Sequence, residues 1–380
     1  MTPGVTRARG LSLSMLASSR LSSLYPALSP WTSAALWHEA AALPIDAMVP
    51  DPALVDPELD TLSEQRLSPL AARYAADRFG PGAVEPRLRS DAFAWVGRSL
   101  RTLQFGVEVL EMLGKAGVPY VVTKGPGVAA CYPIATDRPF SDLDIVVGHG
   151  DFRKALAVTA RSGYQEDARS RQPWRYFDRW CREAVNLRRP DGGSVDLHHH
   201  VPPWLWGKGL LFPDLLERSR VCRLFGAELR VASPEDNLLV TALHVVSDRN
   251  QPGHTLLTWR DVAQLSKVAD PATAAELAVR AGLAGWLLAI LRALPLPVRS
   301  APLVSLLQQY PTVPRPARLV LLCSGAVSRI GVSSSQPLRL PVPFAVAYIA
   351  GMIARTGSGR DGPVPTDPER ETGSSGRGLL

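Results

Sequence analysis

The chain of 380 residues has only four cysteines, Cys131, Cys181, Cys222 and Cys323, and no two of them form a CxxC pair. That spacing excludes a zinc ribbon and gives no disulfide framework, so a reducing cytoplasm is the expected compartment. No apolar run is long enough to span a bilayer: Phe344 to Ala354 is too short, and Gly282 to Leu296 is interrupted by Arg292. Arg7 and Arg9 ahead of Leu11 to Ala17 loosely resemble a signal peptide, but Arg20 and a serine-rich context cut that run short, so export is not expected. A stripe of cations interleaved with aromatics is missing too. Basic residues are scattered, with arginine far ahead of lysine and a formal net charge of +7. Such a balance permits an acidic partner such as a nucleotide or RNA, and fits an Arg-, Ala- and Pro-rich background equally well.

What is present is enough apolar material, 46% of residues, for two cores or for one domain with long tails. Residues 1–87 read as a loop and small-helix extension, partly disordered, with Ser, Pro, Ala and Leu dominating the first 60. A long amphipathic helix is expected from about Ser90 to Ala116, with Phe93, Val96, Leu100, Leu103, Val107, Leu110 and Leu113 as its apolar stripe and Ser90 or Asp91 as its cap. Gly117 ends it, and the period then changes. Val118 to Thr123 reads as a strand, Gly127 to Cys131 as a short helix, Asp142 to Val147 as a strand and Phe152 to Arg161 as a helix. Two further strands, Arg182 to Arg188 and Ser194 to His199, pair as a hairpin through Pro190-Asp191-Gly192-Gly193. The spacing therefore predicts an α+β unit over residues 88–205 with a mixed sheet. Residues 206–354 read as helical, opened by the cap Ser233-Pro234-Glu235-Asp236, and 355–380 as a disordered tail.

The chemistry concentrates in Ser141-Asp142-Leu143-Asp144-Ile145-Val146-Val147. Two carboxylates two residues apart on an apolar strand share a face, repel each other, and need a cation between them. A third carboxylate, Asp196, lies in Ser194-Val195-Asp196-Leu197-His198 and converges with the pair if its strand lies beside theirs. Three carboxylates with open positions suit Mg²⁺ or Mn²⁺. Lys124-Gly125 stands between a strand and a helix, where Gly permits close backbone approach to phosphate and Lys124 meets its charge; Arg138 is a second phosphate candidate. Among the three consecutive histidines, alternation allows His198 to orient Asp196 or contact an acceptor, while His198, His199 and His200 cannot all ligate one ion. His244 reads as a satisfied core histidine. Asp261 reads as helix-start chemistry or a residue reaching towards a nucleotide, and Trp204 and Trp206 as packing or stacking groups.

The run from Val121-Val122-Thr123-Lys124-Gly125 through Arg138-Pro139-Phe140-Ser141-Asp142-Leu143-Asp144 to Val195-Asp196-Leu197-His198 resembles the nucleotidyltransferase superfamily of DNA polymerase β. It is most similar to the bacterial uncharacterised nucleotidyltransferase family, with weaker likeness through His244 and Trp259-Arg260-Asp261, and so covers about residues 90–270. The resemblance implies a polymerase β-like palm with flanking helices, binding NTP and Mg²⁺. Asp142 and Asp144 would be metal ligands, and Asp196 a ligand or the base for the acceptor. Lys124-Gly125 replaces the commoner Gly-Ser element, so Lys124 stands in for the missing serine; Ser141 matches no required position but lies beside the acids.

The expected activity is transfer of an NMP from NTP, with ATP the first candidate, to a hydroxyl acceptor with release of pyrophosphate. Small molecules, peptides and tRNA ends are all implied as acceptor classes. Two alternatives stay open: a phosphoryl-transferring enzyme of lasso-peptide tailoring type, and a catalytically silent nucleotide-binding regulator.

Overall fold

The computed structural model describes residues 30–37, 54–167, 184–199, 210–247, 255–295 and 298–310. Three helices come first: α1 (Pro30–Trp37), α2 (Asp56–Glu64) and α3 (Ser68–Phe79). The long helix α4 spans Pro86–Lys115, four residues earlier than its apolar stripe suggested. Its cap is Glu85, whose carboxylate accepts the Leu88 amide at 2.7 Å, with Pro86 in the first turn where no amide is needed. Gly117, at φ +64°, lets the chain reverse into the sheet.

Strands β1 (Tyr120–Thr123) and β2 (Asp144–Val147) flank the short helix α5 (Gly125–Ala129) and a 3₁₀ turn, Ala135–Asp137. Helix α6 (Phe152–Arg161), the two-residue strand β3 (Gln165–Glu166), and the hairpin β4 (Ala184–Arg188) and β5 (Ser194–His198) follow. Then come α7 (Phe212–Arg218), a second hairpin of β6 (Arg220–Leu224) and β7 (Ala227–Val231), and helices α8 (Pro234–Ser247), α9 (Thr255–Val268), α10 (Pro271–Arg280), α11 (Ala284–Ala293) and α12 (Ala301–Gln308).

All seven strands form one mixed sheet in the order β3-β4-β5-β2-β1-β7-β6. β2 runs antiparallel to β1 and parallel to β5, and β7 joins β1 in parallel. Alternation divides the sheet cleanly. Val122, Ile145, Val147, Val185, Leu187, Val195 and Leu197 turn to one face and pack with Leu103, Val109, Leu110 and Leu113 of α4 and Ala155 of α6. Val146, on the opposite face, belongs to a second core built with the C-terminal helices, including Leu238, Trp259 and Leu287. The expected α+β architecture holds: a mixed sheet, helices on both sides and a helical C-terminal region.

Several expectations need correction. Residues 220–231, read as helical, form a hairpin that extends the sheet, because Phe225-Gly226 supplies two consecutive positive φ angles for a tight turn. The strand expected from Asp142 begins at Asp144, so Asp142 precedes the ladder. Likewise β1 begins at Tyr120 and α5 at Gly125. Phe93 and Leu100 are 71% and 42% exposed, because only the C-terminal half of α4 lies over the sheet. Within the helical region α10 and α11 are parted by Gly282 at φ +70°, and α9 starts at Thr255. Most of residues 1–60 and all beyond 310, along with His200, Trp204 and Trp206, lie outside the described residues. No helix among those described is long and apolar enough to cross a membrane.

Candidate active site

The polar face of the sheet centre carries one row of side chains. Thr123 of β1 is in register with Asp144 of β2, Asp144 with Asp196 of β5, and Asp196 with Asn186 of β4. Register partners in a sheet put side chains on the same face about 5 Å apart. Two carboxylates and two smaller polar groups therefore meet without any long side chain reaching. His198, two residues beyond Asp196, falls on the same face, and its Nε2 lies 2.9 Å from Asp144 Oδ1. It thus sits beside the carboxylates, with its direct contact to Asp144. Asp144, Asp196 and His198 each present a ligand atom within 4.8 Å of the others. His199 takes the other direction, with its Nδ1 3.0 Å from that of His149 and its ring against Phe152.

Lys124 enters from the end of β1, its Nζ 3.1 Å from the same Oδ1 of Asp144. Its backbone is strained, at φ +49° and ψ −140°, a region that non-glycine residues rarely occupy. Asn237 of α8 holds it there: the Asn237 Oδ1 accepts the Lys124 amide at 2.9 Å, while its Nδ2 donates to the Ala232 carbonyl at 3.0 Å. Gly125 follows because a Cβ at that position would stand 3.1 Å from the Asp142 carbonyl oxygen. The Lys-Gly element and the acidic loop are thus packed backbone to backbone.

Burial and mutual repulsion separate the three carboxyls electrostatically. Burial, followed by the charge of Asp144, pushes Asp142 above the usual carboxylate range, against the pull of Lys124, Arg66 and Arg138. Burial also acts on Asp144, but Lys124 and His198 outweigh it and hold that carboxyl well below its ordinary value. Asp196 is pushed up to about 6, first by burial and then by the Asp144 charge, although Asn186 Nδ2 donates to it at 2.6 Å. His244 approaches the same cluster from α8; burial, then the Lys124 ammonium, brings it down to about 3, so it is neutral at physiological pH. Its Nε2 has no partner among the described residues, which corrects the reading of a satisfied core histidine.

Arg138 is placed differently from the acids. Its guanidinium grips Asp261 of α9, with Nη2 2.8 Å and Nε 3.2 Å from Oδ2, and Tyr132 Oη donates to the same carboxylate at 2.7 Å. Asp261 is accordingly buried in a clamp between the sheet and the helical region. Ser141 lines a cavity of about 550 Å³ together with Asp142 and Asp196.

Two contributors escaped the sequence. Asn186 was recoverable, since pairing Arg188 with Ser194 across the hairpin puts Asn186 opposite Asp196. Asn237 reaches Lys124 across 113 residues of chain and carries no local signal.

The donor set fits a hard divalent cation. It consists of carboxylate oxygens with one imidazole, converging on a buried face where, among the described residues, Asp144 contacts an ammonium and a histidine. His198 Nδ1, buried and without a partner among the described residues, leaves that ring's orientation set by its Nε2 contact.

Comparison with known proteins gave the following. No curated protein matches. Among solved structures, the lincosamide antibiotic adenylyltransferase LnuA with lincomycin bound is 16% identical, with 44% of this chain and 97% of that one covered and a TM-score of 0.31. The antibiotic-resistance factor ANT(2'')-Ia is 14% identical, covering 47% and 90%, with a TM-score of 0.32. An antigenic nucleotidyltransferase-like protein from Paracoccidioides brasiliensis is 19% identical, covering 50% and 93%, with a TM-score of 0.33. The family model described as uncharacterised nucleotidyltransferase matches residues 53–300, a span that takes in the whole sheet and its acidic row, and the chain belongs to that family.

Proposed function

We propose that this nucleotidyltransferase moves an NMP from an NTP, ATP in the first instance, to an acceptor hydroxyl with release of pyrophosphate. The observation that carries the reading is the register of Asp144 with Asp196 on adjacent parallel strands, with Lys124 on the same carboxylate. Asp144, Asp196 and His198, with Asp142 beside them, would hold Mg²⁺ or Mn²⁺. Such a cation, when bound, neutralises charge on the triphosphate and favours ionisation of the attacking hydroxyl.

The protein's own groups supply the rest. Lys124, released from Asp144 when that carboxylate acquires another counter-charge, meets the departing phosphates, and Gly125 lets them approach the backbone. Asp196, at about 6, is ionised at neutral pH yet basic enough to take a proton. The acceptor oxygen forms a bond to the α-phosphorus, the bond from that phosphorus to the bridging oxygen breaks, pyrophosphate leaves with the electron pair, and the acceptor proton passes to Asp196. Arg138, held by Asp261, acts as a strut for the loop that carries Asp142.

The test incubates the protein with ATP labelled in the α-phosphate, Mg²⁺ and a cell extract, beside a variant carrying Asp142→Ala and Asp144→Ala. Label should pass to acceptor with the wild type only; equal transfer by both proteins overturns the assignment. Label transferred from the γ-phosphate instead would reassign the enzyme to phosphoryl transfer, and no transfer of either label would leave a nucleotide-binding regulator.

A further inference from the structure

We propose that the cavity beside Asp196 is the acceptor site and that it takes an acceptor bearing an anionic group, a phosphate or a carboxylate, near the reacting hydroxyl. The proposal rests on the nucleotidyl-transfer reading for the word acceptor, but its charge argument stands on the cavity alone. The cavity, about 550 Å³, is within the range of small-molecule sites and is lined by Asp142 and Asp196 on one side and by four arginines on the other. Arg98 and Arg101 come from α4, Arg188 and Arg189 from the β4–β5 hairpin.

Position identifies the occupant. Along the polar row, Lys124 lies on the β1 side of Asp144 and does not line the cavity, whereas Asn186, Asp196 and the hairpin do. With the triphosphate at Lys124, the cavity opens on the opposite side of the acids, where the attacking hydroxyl has to stand for in-line displacement. Asp196, the proposed base, sits at the junction.

Charge then identifies its chemistry. Two of the four guanidinia are already neutralised: Arg188 by Asp167 at 2.9 Å, and Arg189 by Glu108 and Asp191, each at 2.8 Å. Arg98 and Arg101 have no carboxylate partner among the described residues, and Arg98 rests 4.8 Å from the centroid of the Trp95 ring. They are one helical turn apart on α4, so both heads serve one site. Of the acids on the opposite wall, Asp196 accepts from Asn186 and Asp142 is drawn on by Lys124, Arg66 and Arg138, so among the described residues no carboxylate pairs with the two arginines. A cationic acceptor would bring its ammonium groups against them; an anionic one supplies the missing charge and a fork-shaped acceptor for guanidinium.

Two experiments test this. In the first, inorganic phosphate is titrated calorimetrically into the protein saturated with Mg²⁺ and α,β-methylene ATP, so that the triphosphate locus is filled. The exposed pair Arg98→Gln with Arg101→Gln should weaken phosphate binding about tenfold or more and leave the affinity for the analogue unchanged. No saturable phosphate binding, or equal binding by the variant, overturns the proposal. In the second, a cell extract is divided on an anion exchanger and each fraction is offered with α-labelled ATP. Label should enter the retained fraction; ribonuclease treatment of that fraction separates an RNA end from a small anion. Label confined to the flow-through overturns the anionic acceptor while the transferase reading stands. Arginine-dependent phosphate binding with no transfer in any fraction sinks the transferase reading and leaves the anion site in place.

Discussion

At the residue scale, burial and neighbouring charges give three chemically identical carboxyls different proton affinities. Asp196 is raised to about 6, so its ionised form opposes folding: stability contributed by the protonated group is lost as pH rises from the ordinary carboxylate value towards 6. In a chelator, Asp196→Asn should therefore stabilise the metal-free protein at pH 8 by up to about 3 kcal/mol, with little effect at pH 4. Thermal melts at both pH values check it; a variant no more stable at pH 8 than the wild type refutes the assigned shift. The same residue, needed ionised, should impose an acid limb on the rate, with transfer falling as pH drops and Asp196 is protonated. Asn237 is the second residue with a clear forecast. Asn237→Ala removes the acceptor that holds the Lys124 amide in its strained conformation, and should cost about 1–3 kcal/mol of stability. Urea unfolding measures that loss, and the fall in label transfer should exceed what partial unfolding explains.

At the element scale, α4 meets the sheet at one point of very close approach. A Cβ on Gly106 would lie 2.4 Å from Leu143 Cδ2, and Leu143 is itself fully buried just ahead of β2. Gly106→Val should cost about 1–3 kcal/mol by overpacking, and because Leu143 lies between Asp142 and Asp144, it should also impair transfer. Denaturation and label-transfer measurements on one preparation check both; a Val variant as stable as the wild type would show that Leu143 repacks freely. This scale also shows what the sequence conveyed. The hairpin of β4 and β5, helix α6 at its observed bounds, and the cap at Ser233, whose Oγ accepts the Asp236 amide at 3.1 Å, were all legible from local turn and cap chemistry. The β6–β7 hairpin was not, since only half its residues are apolar enough to declare a strand, and its pairing with β1 joins segments about a hundred residues apart. Asp196 was recognisable as a third acid, but the register that brings it to Asp144 is a tertiary fact.

At the scale of the whole molecule, two of the polar contacts that fasten the helical region to the sheet reach the candidate site. One is the buried Arg138–Asp261 pair with Tyr132; the other is Asn237 on Lys124. Arg138→Ala leaves Asp261 buried beside a single hydroxyl and should destabilise the protein by about 3–5 kcal/mol, read by chemical denaturation. If the residue is a strut, the surviving folded fraction keeps its KM for ATP. The Lys124–Asp144 contact has a consequence for the order of events. A cation arriving alone displaces the ammonium from Asp144 without bringing it a new anion, whereas a cation arriving on a triphosphate brings the lysine a phosphate to meet. Metal and nucleotide should therefore enter as one complex: Mg²⁺ titrated alone should bind far more weakly than Mg²⁺ with α,β-methylene ATP, and Lys124→Met should shrink that difference. On that order of events, an ion pair that looks like a structural salt bridge is a latch, and the substrate that opens it carries its own key.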